Sequence, residues 1–248
     1  MGEALWHHAQ VPDKRTNRGA HPKDREDFAS ENLPSLRAAT DDLCWLLSHG
    51  YPDTGSLRLV GDRYTLRARQ RTALQRVAAS AEACDLRAAR CVPPARLPGA
   101  RLVIDGYNLL VTVEVALGGG VVLGARDGTL KDMASVSGSY RKVRQTVPAL
   151  TAIGAVLTDY RVADALWLLD RPISNSARLG QLIRDLAREQ GWSWEVELSP
   201  NPDRELKTTD RLVATADSAV LDRCQAWVNL ARLVVQERVP EAWLVELG

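Results

Sequence analysis

Histidine and cysteine are scarce in this chain, four of each in 248 residues, and their placement excludes more than their number. His7, His8, His21 and His49 all precede residue 50, so a histidine-rich zinc hydrolase site in the later part of the chain is not expected. Cys44, Cys84, Cys91 and Cys224 include no Cys-x-x-Cys pair. That argues against a zinc ribbon or a disulfide framework, and reduced thiols are the expectation. No apolar run approaches the roughly 18 residues that a membrane span requires. The opening MGEALWHHAQVPDKRTNRG lacks the apolar core of a secretory signal, so a cytoplasmic protein without a membrane partner is expected. Net charge is also nearly absent: 32 Lys and Arg stand against 31 Asp and Glu, for +1. Global charge therefore selects no partner.

What is present is an ordinary globular composition, 45% hydrophobic and 25% charged, enough for one large or two modest domains. Residues 1–21 are polar and without periodicity and read as a disordered tail. Residues 22–91 read as a small helical domain. In ENLPSLRAATDDLCWLLSHGY, Leu33, Leu36, Leu43, Leu46 and Leu47 recur at helical spacing, with Pro34 in the first turn and Gly50 as the stop. A second helix is expected from an N-cap at Thr65 through TLRARQRTALQRVAASAEACDLRAAR. Between Arg58 and Arg76 the arginines 58, 63, 67, 69, 71 and 76 face the single acid Asp62. Arg63, Arg67 and Arg71 recur every fourth residue and could form a basic stripe that attracts a phosphate backbone.

CVPPARLPGA, with three prolines, can continue neither a helix nor a strand, so 92–100 reads as a linker. Beyond it, strands and helices alternate. RLVID, ADALWLLD, WSWEVELSP, RLVATAD and AWVNLARLVVQ are strand candidates. LLVTVEVALGGGVVLGARDG reads as a hairpin, and 138–160, SARLGQLIRDLAREQG and SAVLDRC read as helices. This alternation predicts an α/β three-layer sandwich with a mostly parallel sheet over 101–248.

Three of the strands end in a carboxylate: Asp105, Asp170 and Asp217. In a parallel sheet the carboxyl ends of all strands share one edge, where ligands bind near the topological switch point. A single such Asp is most often a helix cap. Three unpaired carboxylates on one edge would repel unless a cation sat among them, and oxygen-only ligation suits Mg²⁺ or Mn²⁺. After Asp170, Ser174, Asn175 and Ser176 precede a helix N-terminus, a position that favours phosphate.

The DGYN turn at Asp105, the middle strand closing in Asp170 and the Thr215-Ala-Asp217 triplet resemble the PIN-like nucleases, in particular their NYN branch, over about 100–240. The wider arrangement, with its helical module, resembles an uncharacterised bacterial and archaeal two-domain family of unknown function. The first resemblance implies a metal-dependent ribonuclease: Asp105, Asp170 and Asp217 at the acidic positions, Asn108 orienting the first ligand, and RNA as the partner. Such nucleases carry a further acid opening a helix before the Thr-x-Asp strand. Here Asp203 or Asp210 must take that role on a shortened element. The rival readings are a nuclease-like RNA- or nucleotide-binding module without turnover and a metal-dependent phosphatase. The oligomeric state, a homodimer included, is left open.

Overall fold

In the computed structural model, which describes residues 17–134 and 140–248, the chain builds a parallel α/β domain preceded by a helical region. Most of the expected tail lies outside the described residues. Its last part is packed: Arg18 is 5% exposed and pairs with Glu114 at 3.1 Å.

The helical region comprises α1 (Asp24–Asp27), α2 (Leu33–Ser48), α3 (Asp53–Arg63), α4 (Ala68–Val77) and α5 (Ala81–Arg90). The expected second helix is therefore two, α4 and α5, and α3 precedes them unforeseen. Thr65 is not a cap but a left-handed residue (φ 52°) between α3 and α4, and Ser80 caps α5 by accepting from the Ala83 amide at 3.2 Å. The Pro-rich stretch is docked, with Leu97 fully buried and the Val92 amide donating to the Trp227 carbonyl.

The main sheet contains β1 (Arg101–Asp105), β4 (Asp164–Asp170), β5 (Trp194–Ser199), β6 (Leu212–Ala214) and β7 (Trp227–Val228), all parallel, in the order β5-β4-β1-β6-β7. Leu102 and Ile104 of β1 face a core shared with α6 (Gly106–Leu117), α7 (Thr146–Asp159), α8 (Ser176–Gln190) and α11 (Leu230–Arg238). Val103 points the other way, to Leu206 of α9 (Pro202–Thr208) and to Val220 and Leu221 of α10 (Ser218–Leu221). Burial on both faces is why these strands read as unbroken apolar runs.

A smaller sheet, β3-β2-β8, joins β2 (Val121–Gly124), β3 (Leu130–Asp132) and β8 (Trp243–Glu246). Its Val121, Leu123, Val245 and Leu247 share one apolar core with Leu36, Leu43, Leu74 and Val77 of the helical region. The two parts of the chain thus pack through this sheet.

One expected strand is a helix and another is mostly one. The first half of the expected hairpin is α6, whose Leu109–Ala116 run is buried without a break. Its β-branched residues imitate a strand, and a helix enclosed on all sides has no polar face to show a helical period. AWVNLARLVVQ supplies only the short β7 before turning into α11.

Candidate active site at the carboxyl edge

The order β5-β4-β1-β6-β7 means that the chain builds outward from β1 first to β4 and β5, then crosses to β6 and β7. The switch point therefore lies between the carboxyl ends of β1 and β6. In doubly wound sheets ligands bind outside the strand ends at such a point. Asp105 ends β1, and Thr215, Ala216 and Asp217 follow β6 immediately.

Asp105 hands the chain directly to α6, and the close passage needs Gly106. A Cβ there would stand 2.5 Å from Leu169 Cδ2 and 2.7 Å from the Leu168 carbonyl oxygen of β4. The Thr215 hydroxyl donates to Asp105 Oδ2 at 2.8 Å and accepts from the Asp217 amide at 3.0 Å. Burial pushes the Asp105 carboxyl up to about 7; the Thr215 hydrogen bond opposes this, while the Asp217 and Asp203 charges add to it. A carboxylate strand end is thus held close to the balance between its acid and its base.

Asn108 meets that carboxylate through its backbone amide and uses its side chain elsewhere. Its Oδ1 accepts from the Ala216 amide at 2.8 Å, so it holds the turn that carries Asp217. Asp217 Oδ1 accepts from the Val220 amide at 3.0 Å, which makes it the cap of α10 as well as a charge acting on Asp105.

Asp170 ends β4, the strand beside β1. It is half-buried, and burial raises its carboxyl above the usual range, with the Asp203 charge adding. Among the described residues no other residue hydrogen-bonds or ion-pairs with its carboxylate. Tyr107 is 6% exposed and its hydroxyl has no hydrogen-bond partner among the described residues; burial, with the Asp170 charge adding, holds that phenol protonated. Asp203, in the first turn of α9, is exposed and pairs with Lys207 at 3.3 Å, yet its charge reaches both Asp105 and Asp170. Asp210 is placed differently. It lines a cavity with Arg96, Arg101 and Arg211 ahead of β6, at the amino edge of the sheet, and cannot join the cluster. A parallel strand separates its two ends by its full length, so an acid before β6 and an acid after it serve opposite edges.

Sequence reasoning missed Lys131. From β3 its ammonium donates to the Ala216 carbonyl and approaches Ser218 Oγ at 3.4 Å. Burial lowers its pKa, while Asp127 and Asp217 pull it back up. Its only local signal is the short LKD strand, and the cation comes to the edge through the small sheet, a contact that no spacing reveals.

Among the described residues no group of three or more His, Cys, Asp or Glu side chains is arranged to hold a metal ion. The donor chemistry nevertheless fits a hard cation carried by one or two carboxylates and completed by water and substrate phosphate, as Mg²⁺ commonly is. Asp170 is engaged by no other described residue, Asp105 accepts only from the Thr215 hydroxyl and the Asn108 amide, and the Tyr107 hydroxyl has no hydrogen-bond partner among the described residues. Asp217 is the weakest fit, because one oxygen caps α10 and Lys131 lies alongside.

The other expected sites change more. Asn175 is left-handed (φ 70°) and its Nδ2 donates to the Tyr140 carbonyl at 3.0 Å. Ser176 is buried, with its hydroxyl turned to the Arg171 carbonyl at 3.4 Å, so of the expected phosphate cradle only Ser174 and Asn175 remain at the surface. The arginine stripe is not one stripe: Arg63 ends α3, Arg67 caps α4 and Arg71 lies inside it. Each is paired, Arg63 with Asp42 at 3.4 Å, Arg67 with Asp27 at 2.9 Å and Glu26 at 2.8 Å, and Arg71 with Asp62 at 2.8 Å. Asp222, past α10, pairs with Arg87 at 2.7 Å.

Fold and edge together define a doubly wound α/β domain with an acidic switch point. The chain belongs to the family described as Domain of unknown function (DUF5616), whose profile matches residues 94–233. A second profile, Protein of unknown function (DUF434), matches residues 35–90 in the helical region. An uncharacterized protein of Methanocaldococcus jannaschii is 26% identical over 187 residues, covering 75% of this chain and 89% of the relative. No solved structure matches the chain. No helix among the described residues is long and apolar enough to cross a membrane.

Proposed function

We propose that the chain is a Mg²⁺- or Mn²⁺-dependent ribonuclease that hydrolyses RNA phosphodiester bonds at the carboxyl edge of its parallel sheet. The observation that carries this reading is Asp105: a carboxyl raised to about 7 at the switch point by burial, with the Asp217 and Asp203 charges adding. Acids crowded in this way bind either protons or a cation, and near neutral pH a divalent cation displaces the proton. Asp105 and Asp170 would hold it, with Asp203 and Asp217 supplying negative potential around it. Such an ion supplies Lewis-acid stabilisation of the phosphate and a readily deprotonated water.

The chain's own residues do the positioning. Thr215 fixes Asp105 and the Asp217 turn at once, and Asn108 ties that turn to α6. Asp170, engaged by no other described residue, is open to a cation or to the attacking water. A second reading, a nuclease-like module that binds RNA without cutting it, is favoured by one observation: Lys131 already supplies a positive charge beside Asp217.

Labelled single-stranded RNA incubated with the protein and Mn²⁺ separates the two. Cleavage that requires the metal and falls at least about a hundredfold in Asp105→Asn supports the ribonuclease, the size expected when a group acting on the reacting centre is lost. RNA retained but uncut by the wild type supports the binding module. Cleavage equal in both proteins defeats the assignment to this edge.

A further inference from the structure

One cavity, of about 490 Å³, is lined by Tyr140, Arg141, Lys142, Asn175, Arg178, Leu179 and Leu182. That volume suits a small organic ligand. Asn175, Arg178, Leu179 and Leu182 lie on one face of the first two turns of α8, which by its β4–α8 connection begins at the carboxyl edge. The loop leaving Asp170 therefore delivers Asn175 to the cavity wall.

Its charge is one-signed. Arg141, Lys142 and Arg178 are exposed, no carboxylate lines the cavity, and among the described residues none of the three has a hydrogen-bond or ion-pair partner. Some exposed arginines elsewhere are paired, Arg126 with Asp41 and Arg188 with Asp185, and the side chains of others, Arg144, Arg161 and Arg204 among them, have no partner among the described residues; Arg141, Lys142 and Arg178 are set apart by sharing one cavity. Leaving three neighbouring cations unpaired costs mutual repulsion, which an anion relieves. The start of a 15-residue helix adds its partial positive charge in the same place. Leu179 and Leu182 give the cavity an apolar side, so it offers both a surface for a base and cations for a phosphate.

We propose that the cavity formed by Arg141, Lys142, Arg178, Asn175 and the Leu179–Leu182 face of α8 binds a nucleoside phosphate. Arg178 and Arg141 take the phosphate oxygens, Lys142 adds a point charge, and the base lies against the leucines. The same unit occurs in a free mononucleotide and within an RNA strand. Binding of a strand here, beside Asp170, extends the ribonuclease reading and rests on it for its purpose; the nucleotide site itself stands on the cavity alone.

The test is binding without turnover, in EDTA, using the full chain with fluorescently labelled adenosine monophosphate and with a labelled ten-nucleotide single-stranded RNA. Arg178→Glu and the double variant Arg141→Glu/Lys142→Glu should each weaken binding about tenfold or more. Arg188→Glu, the same charge change at the far end of α8, should leave it within twofold. For the RNA, removing the three cations together should lower the slope of log affinity against log salt by about 2, at roughly 0.7 per phosphate contact on a single strand. Arg178→Lys should restore part of the affinity, and unchanged circular dichroism melting curves show that each variant is folded. Tight mononucleotide binding that competes with RNA identifies free nucleotides as a source; binding of RNA alone identifies the strand. Affinities untouched by the cavity variants, or equal competition by polyglutamate, would overturn the proposal. Because no metal or cleavage enters these measurements, a failed ribonuclease assay leaves their outcome readable, and the reverse.

Discussion

The arginines of the helical region and the cations beside α8 carry the same charge and do opposite things. Arg87 is 5% exposed and sits between Asp127 and Asp222, both at 2.7 Å. Arg67, Arg69 and Arg71 each meet a carboxylate within 2.9 Å. Arg76 donates to the Asp132 carbonyl at 2.7 Å and the Ala134 carbonyl at 3.1 Å, fastening the helical region to the small sheet. Arg141, Lys142 and Arg178 hold nothing among the described residues. A basic run in sequence reports supply of charge; the structure tells where that charge is already used.

The largest effect expected from this contrast is on stability. Replacing Arg87 with Met removes the guanidinium between Asp127 and Asp222, and the almost wholly enclosed Asp127 keeps only the charge of Lys131 near it. Loss of one member of a buried ion pair costs about 3–5 kcal/mol, and urea unfolding should register it. A cost below about 1 kcal/mol would show that these pairs are surface-like and break the comparison.

Next in size is the pH dependence set by Asp105. Its folded-state pKa, about 7, lies above the unfolded value of 3.8, so the folded state holds the proton more tightly. The contribution of Asp105 to stability is therefore full below the unfolded value and declines as pH rises through the window from about 4 to about 7, by at most about 1.4 kcal/mol per unit. Asp105→Asn removes this decline. Its melting temperature relative to wild type should be higher at pH 8 than at pH 5, measured without metal; a difference independent of pH would remove the acidic-edge argument.

The smallest effects belong to the arginines first expected to bind RNA. Arg63→Gln, which breaks an exposed pair with Asp42, should change stability by less than about 1 kcal/mol, Arg67→Gln, which faces the buried Asp27, by somewhat more, and each should change RNA affinity by less than about twofold. A tenfold loss of RNA affinity in either would restore the helical region as a nucleic-acid surface and blur the distinction from α8.

Much of the fold was legible because its strands are buried on both faces. RLVID, DALWLLD and LVA announce themselves by unbroken apolar runs, and all three lie in the centre of the parallel sheet. The same enclosure hid α6, which is buried along almost its whole length and rich in valine. The helix break at Ala78–Ser80 was obscured by flanking alanines and arginines that suit a helix on either side. At the site, strand ends placed Asp105, Asp170 and Asp217 on one edge, since topology alone does that. What pairing and spacing could not give were the lateral contacts: Thr215 on Asp105, Asn108 on the Ala216 amide, and Lys131 arriving from the other sheet. Asp203 and Asp210 looked alike in sequence, and only the direction of β6 separates them.

The claim on which the account turns is that the edge carboxylates exchange a proton for a divalent cation. Carbon-13 NMR of the Asp105 carboxyl, titrated with pH first in EDTA and then in excess Mg²⁺, measures this directly. The account predicts a midpoint near 7 without metal and one displaced well below 6 with it, assigned by its disappearance in Asp105→Asn. A midpoint that Mg²⁺ leaves where it was would contradict the account.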